Sequence, residues 1–450
     1  MRSDFRIRYL WTRWGVWLDD KLRNSRVAWE ASAWYLAGRY FLKGGPPELR
    51  LQFLANAYRR ATSAFLRGRL ERLLTPWLSV SHADIWRKRK IGWARYQPDV
   101  ADRELNKSLI LKAPTLVEKG VLYVSFEVNW LRLLERCDVR RLLTDYFFVG
   151  ASSWSPPDFL AQWALAHLGR DPVFVQVSNP ADVALYRRLD HHVCPLPLMA
   201  SDWINPRFYS PRPPEARDID ILMVAGWSKV KRHWLLFRAL RKMRADLRVV
   251  LIGQNADGRS ADDVFAEAKA FGVGSRIEII RDAPIELVTD YQCRSKASVL
   301  LSHREGSCVA VAESLFADTP VAMLHDAHVG SRAYINGETG VLLRRESLDV
   351  QLEKLLEERA RYAPRAWALG HVTCFESSGK LNSILRAYSE KHGLPWSRDI
   401  KPLCWRPDPT YADPEDRGAM AHAYEELRER HGVTISGHAW QPRVAAGKPW

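Results

Sequence analysis

The chain has 450 residues, a formal net charge of +15, and 47% hydrophobic and 11% aromatic residues. That length allows two or three domains, and that composition builds packed cores rather than a disordered chain. The charge suits anionic nucleotides or an anionic membrane surface; nucleic acid is excluded as the preferred partner because no nucleic-acid-binding motif accompanies the charge.

Six cysteines, at 137, 194, 293, 308, 374 and 404, form no C-x-x-C pair and no Cys/His cluster with zinc spacing. This favours a reduced, cytoplasmic setting. The N-terminal stretch MRSDFRIRYLWTRWG is interrupted by charge and lacks the apolar region of a secretory signal. No uncharged apolar run approaches the roughly 20 residues of a spanning helix. The protein is expected to be soluble, or peripheral to a membrane.

Residues 1–100 are rich in Trp, Tyr and Arg and show few strand signals. Trp11, Trp14, Leu18 and Leu22 recur at helical spacing, among Arg6, Arg8, Arg13, Lys21, Arg23 and Arg26. Such a basic helix with Trp suits a membrane interface; a helix packed onto its own domain is the other reading. The GGPP cluster at 44–47 separates two helical stretches, and RKRK at 87–90 reads as a solvated face.

From residue 120, short apolar runs alternate with helical stretches. VLYVSF (121–126), YFFVG (146–150) and VFVQV (173–177) read as buried parallel strands, with helices near 128–136, 158–168 and 181–189. The proline-rich, charged SPRPPEARD (210–218) reads as a domain linker. Alternation then restarts at 219–225, 247–253, 276–280, 297–302 and 320–324, with helices near 231–243, 261–271, 286–293 and 308–317. After residue 393 the text is loop-rich, with one charged helix near 417–431 and a polar tail.

The predicted division is therefore 1–100, a helical part of the N-terminal domain; 101–212, a Rossmann-like N-terminal domain; 213–392, a second Rossmann-like domain; and 393–450, an extension. The fold class is α/β, with two parallel-sheet domains facing a cleft. Ligands of open α/β sheets bind beyond the carboxyl ends of the strands.

One strand end stands out. HREGSCVAVAESLFADTP (303–320) places Glu305 and Glu313 in a small, apolar run. Ser307 is a favoured N-cap type for the helix that follows, and Gly306 permits close backbone approach. The first amides of that helix and its dipole would hold an anion such as a diphosphate. Glu313 would lie roughly 9 Å further along at ~1.5 Å per residue, where a carboxylate can accept two hydrogen bonds from a vicinal diol.

The E-x7-E segment EGSCVAVAE resembles the signature of family 4 retaining glycosyltransferases, which have the two-domain GT-B fold. VAGWSKVKRHWLLFRAL (224–240), beginning its phosphate segment at Gly226, is similar to the family's Gly-to-Lys stretch; RVVLIGQNADG and GETGVLL resemble the elements that follow. The resemblance covers roughly 216–390 and is specific as an ordered set. It implies Lys231 at the donor diphosphate, Glu313 at the nucleotide ribose, and Glu305 at the donor sugar with the amides of Gly306, Ser307 and Cys308 nearby. Glu305 and Lys231 would carry the catalysis.

Trp227 stands where the family often has Arg, and Arg232 where it usually has Gly. The segment is also a residue short, so Lys229 and Arg232 are rivals for the phosphate role. The N-terminal half matches poorly: only Gly44-Gly45 resembles its glycine loop, and its strand-end histidine is not evident. Glu127, Asn129, Ser152, Ser153, Ser178 and Asn179 follow strands there, positions that could face the cleft; most are expected to cap helices or turns and a minority to touch substrate.

The pair Asp218/Asp220 sits at the start of a strand, away from the active end, and reads as solvated rather than metal-binding. His191, His192, His325 and His328 lack partner ligands. The expected activity is retaining transfer of a sugar from a nucleotide-diphosphate donor to a hydroxyl of a glycan, lipid-linked or surface-polysaccharide acceptor, with neither metal nor cofactor required. The alternative is a nucleotide-sugar-binding protein without transfer.

Overall fold

A computed structural model describes residues 2–42, 44, 47–78, 104–157, 159–166, 168–189 and 192–435. The basic run at 87–90, Gly45, His191 and the tail from 436 lie outside the described residues. The chain forms two compact units: residues 29–203 with 374–450, and residues 1–28 with 204–373.

The first unit opens with helices Arg26–Leu42, Pro47–Arg60 and Ala64–Leu74. Glu30 ties them together by accepting the amides of Thr62 and Ser63 at 2.6 and 3.0 Å. Strand β1 is Glu104–Leu105. The main sheet holds β2 (Ser108–Lys112), β3 (Gly120–Ser125), β4 (Tyr146–Ala151), β5 (Val173–Gln176) and β6 (Val193–Leu196), in that spatial order. Strands β3 to β6 run parallel, whereas β2 pairs antiparallel with β3. Every residue of β3 and β4 is buried, as a sheet covered on both faces requires.

The second unit carries a six-stranded, wholly parallel sheet. Its strands are β7 (Ile219–Val224), β8 (Val249–Gly253), β9 (Ile277–Arg281), β10 (Ser295–Leu300), β11 (Val321–Leu324) and β12 (Gly340–Leu343). Their order is β12-β11-β10-β7-β8-β9. Chain direction across the sheet therefore reverses between β7 and β10, and a doubly wound sheet takes its ligand at that reversal. Gly253 allows the tight β7–β8 approach: a Cβ there would lie 2.2 Å from the Ala225 carbonyl oxygen.

The units differ from the predicted domains in several places. Residues 1–28 join the second unit, because helix α1 (Arg2–Asn24) docks there through a buried ion pair described below. The expected linker 210–218 also lies inside that unit, where Arg217 is buried and donates to the carbonyls of Arg212 and Ser295 at 3.0 and 2.6 Å. From Cys374 onward the chain returns to the first unit along helix Cys374–Lys391.

The region after 393 is more ordered than its loop-rich text implies. Strands β13 (Leu403–Trp405) and β14 (Pro409–Tyr411) form a hairpin, and β15 (Thr434–Ile435) pairs parallel with β1. This region covers the edge strand β2. The Lys401 amide reaches the Leu111 carbonyl at 2.7 Å, and the Tyr411 hydroxyl reaches that of Ile110 at 2.7 Å.

Candidate active site

Two loops leave the carboxyl ends of β7 and β10, one on each side of the reversal. The first runs from Ala225 to Arg232, the second from Leu301 to Cys308. Lys231 and Glu305, 74 residues apart in sequence, meet there: the Lys231 ammonium donates to Glu305 Oε2 at 2.7 Å. Burial opposes the Lys231 charge, but Glu305 outweighs it, so the ammonium is held above its usual range. Glu305 is buried, and its other oxygen, Oε1, accepts nothing from the described residues.

The Glu305 loop is fixed by a neighbouring segment. The Glu305 amide donates to the His328 carbonyl at 3.1 Å, and the Gly306 carbonyl accepts from Gly330 at 2.8 Å. The helix that follows is Val309–Phe316, capped at Cys308 without a side-chain hydrogen bond. It thus begins one residue beyond the predicted Ser307 cap. Among the described residues, the amides of Gly306 and Cys308 have no protein acceptor. Together with the helix start, they offer donors to an anion.

Glu313 is buried on the same helix, and Gln292 donates to its Oε2 at 3.1 Å. Burial, reinforced by Glu305, pushes the Cys308 thiol up to about 12, so it stays protonated at neutral pH. Gly226, by contrast with Gly253, is not demanded by internal packing. A Cβ there would make only ordinary contacts, 3.5 Å to Ala256 and 3.6 Å to Gln254.

The rivals of Lys231 are placed differently. Lys229 has a half-exposed side chain whose ammonium lies 3.7 Å from Asp19. Arg232 adopts a left-handed conformation, φ 58°, which ends the turn Lys229–Lys231 and delays the helix to His233–Leu240. Its guanidinium is 1% exposed and is gripped by both carboxylate oxygens of Asp20 on α1. That engagement removes it from competition for phosphate. Trp227, in the place of the family's arginine, is fully buried with its ring 5.6 Å from that of His233.

Helix α1 links the two loops. Asn24 donates to Asp20 Oδ1 at 3.1 Å and meets His303 Nδ1 at 2.9 Å. A polar chain therefore runs Arg232–Asp20–Asn24–His303. The sequence offers no cue to it, because two of its three links span more than 200 residues.

Burial, then the charge of Arg232, holds His303 down to about 4, against the pull of Asp326. A folded-state value below the usual ~6.5 favours docking above that pH, and the contribution is lost as pH falls through about 4. Acidification from pH 7 to 4 is therefore expected to loosen α1, read as faster proteolysis near residue 25. His303→Gln should flatten that profile; an unchanged profile would remove His303 as its cause.

The remaining predicted positions have internal partners. Glu127 accepts the Ser153 hydroxyl at 2.6 Å, and Asn129 donates to the carbonyls of Asn106 and Ser125, both at 2.8 Å. Ser152 meets the Tyr186 hydroxyl at 3.0 Å, Ser178 donates to the Ser152 carbonyl at 2.7 Å, and Asn179 caps a turn. Asp220 is not solvated, as predicted, but buried; it accepts from the Arg248 amide at 2.8 Å and Lys296 at 2.9 Å. Asp218 is held by Arg294 and Arg248. His325 meets the Leu343 carbonyl at 3.3 Å.

Residues 210–365 match the family model described as glycosyl transferases group 1. No curated protein matches the sequence. Among solved structures, sucrose-phosphate synthase from Thermosynechococcus elongatus is similar at 16% identity and TM-score 0.49, over 60% of this chain and 74% of that one. Anabaena Alr3699/HepE, solved with UDP, is similar at 12% identity and TM-score 0.49, over 59% and 78% of the respective chains. The pneumococcal O-GlcNAc transferase GtfA, solved with UDP and GlcNAc, is similar at 15% identity and TM-score 0.43, over 56% and 54%. The matched segment is the one that carries Lys231, Glu305 and Glu313.

Proposed function

We propose that this protein is a glycosyltransferase that transfers a sugar, with retention of anomeric configuration, from a nucleotide-diphosphate donor to a hydroxyl acceptor. The observation that carries the proposal is the Lys231–Glu305 contact at the sheet reversal, 2.7 Å across two strand-end loops. Lys231 and the amides at Gly306 and Cys308 take the departing diphosphate, a fixed set of donors aimed at charge that grows as the bond breaks. Glu305 holds the donor sugar, Glu313 the ribose diol, and Gly226 leaves room for the phosphates. Ser307 lies between Gly306 and Cys308 in the same cradle, and Lys229 lies at its rim.

Bond breaking leaves an oxocarbenium-like sugar. Attack from the same face, with the leaving phosphate accepting the acceptor's proton, preserves the anomeric configuration without a carboxylate nucleophile. No metal step is required in this scheme. The acceptor is a glycan or lipid-linked hydroxyl, and attachment is to an anionic membrane surface. Among the described residues no helix is long and apolar enough to cross a membrane.

A thermal-shift screen of nucleoside diphosphates and their sugar conjugates tests donor binding, since a specific ligand stabilises the fold by mass action. NMR of the product from the stabilising donor then reads the anomer. Inversion would overturn the retaining scheme. Donor binding with neither transfer nor hydrolysis would favour a binding protein, the alternative that Trp227 and the divergent first unit keep in view.

A further inference from the structure

Helix α1 presents three faces. Asp20 and Asn24 dock it. A second arc, Leu10, Trp11, Trp14, Leu18 and Leu22, is exposed, with Trp11 at 75%. Between this arc and the second unit's surface lies a groove of about 360 Å³. Its floor is the buried rings of Trp234 and Phe271, and its wall includes Trp14 and Trp17.

Two guanidinium groups flank it, each steadied over a ring: Arg13 is 5.6 Å from the Phe271 centroid, and Arg238 is 5.4 Å from that of Trp234. Arg238 donates to the Arg345 carbonyl at 2.8 Å and has no carboxylate within 4.0 Å among the described residues. Burial, then the nearby Arg13 charge, works against its own charge, while Glu346 works in its favour. A neighbouring hollow of about 260 Å³ extends past Arg13 and Arg238 to Lys242 and Arg345, with Glu346 and Asp349 at its edge. Asp349 lies 3.8 Å from Lys242, and Arg345 pairs with Asp326 at 2.7 Å.

We propose that this groove binds the phosphate headgroup of an anionic lipid, with α1 lying in the bilayer interface. Phosphate between Arg13 and Arg238 relieves their mutual repulsion. Trp walls and the exposed Trp/Leu arc take the glycerol and upper acyl region, the level at which Trp is favoured. A free phosphate would satisfy the arginines and leave the aromatic walls and the contiguous arc in water, which is why the lipid is the better fit. The site is separate from Lys231 and Glu305 and stands whether or not sugar transfer does.

The test is co-sedimentation of the full chain with phosphatidylglycerol and phosphatidylcholine vesicles. Each interfacial cation contributes about 1 kcal/mol, so Arg13→Ala/Arg238→Ala should weaken phosphatidylglycerol binding on the order of thirtyfold. Lys380→Ala/Arg386→Ala removes the same charge from an exposed helix of the other unit and should leave binding within about twofold. Trp11→Ser, at a side chain 75% exposed, should weaken binding severalfold and covers the case in which the arginine pair is needed for folding. Excess glycerol 3-phosphate should not release the protein. Equal losses from both double variants, no loss from the groove variants, or full release by glycerol 3-phosphate would each overturn the lipid site.

Discussion

Asp20→Ala is expected to destabilise the protein by about 3–5 kcal/mol, the range for removing one partner of a buried ion pair. Asp20 is 8% exposed and Arg232 1% exposed, so neither charge can fall back on water without local unfolding. Nη1 of Arg232 already lacks an acceptor, so the aspartate is its main compensation. The same substitution takes an acceptor from Asn24 and so unties His303.

The local way out is release of α1, which would also loosen the turn that presents Lys231. Urea unfolding of wild type, Asp20→Ala and Asp20→Ala/Arg232→Met separates the contributions. The double variant should recover much of the loss, because an apolar side chain in place of the guanidinium leaves no charge stranded. A loss under about 1 kcal/mol in the single variant, the value of an exposed pair, would show that the pair is not buried in solution.

Lys231→Ala is expected to lower turnover by roughly a hundred- to a thousandfold, the usual loss for one group aimed at developing transition-state charge. Loss of charge opposite the diphosphate is one part. The other is that Glu305, buried and among the described residues ion-paired only to Lys231, would be left uncompensated at the proposed sugar site. Lys231→Arg should rescue poorly, because a planar guanidinium cannot reproduce a point contact at 2.7 Å. Lys229→Ala should change turnover little, since its side chain is half-exposed and faces Asp19. Wild-type turnover in Lys231→Ala, with loss in Lys229→Ala, would move the phosphate role by two residues.

Much of the second unit is legible in the text because its strands are uninterrupted apolar runs with turn chemistry at both ends. Strands at 219–224, 277–281 and 321–324 lie where alternation predicted them. The two acids of EGSCVAVAE stand out because charge inside a small, apolar run needs a purpose. What stayed hidden is long-range pairing. A basic residue at a helix start looks the same whether it faces solvent or a distant aspartate, so Arg232 reads as a phosphate ligand until Asp20 is seen against it.

Helix α1 shows the same limit. Its Trp/Arg stripe is visible, but it docks through Asp20 and Asn24, two polar side chains that carry no periodic signal. The hairpin β13–β14 was missed because proline and charge surround short strands that are stabilised by covering β2 rather than by their own pattern. Trp227 is a further case: a tryptophan after a glycine turn gives no hint that it packs into the core against His233.

In the proposed function, Glu313 and Glu305 hold opposite ends of one donor. Calorimetric titration of the preferred free nucleoside diphosphate into Glu313→Gln and Glu305→Gln tests it most directly, with transfer rates measured alongside. Glu313→Gln keeps shape but removes the charged acceptor from the ribose diol, so binding should weaken by roughly 1.5–3 kcal/mol. Glu305→Gln should leave that binding nearly unchanged, because the free nucleotide has no sugar at that end, and should lower the transfer rate with the full donor. Equal profiles in the two variants, or weakened nucleotide binding in Glu305→Gln alone, would contradict the division of labour between the acids.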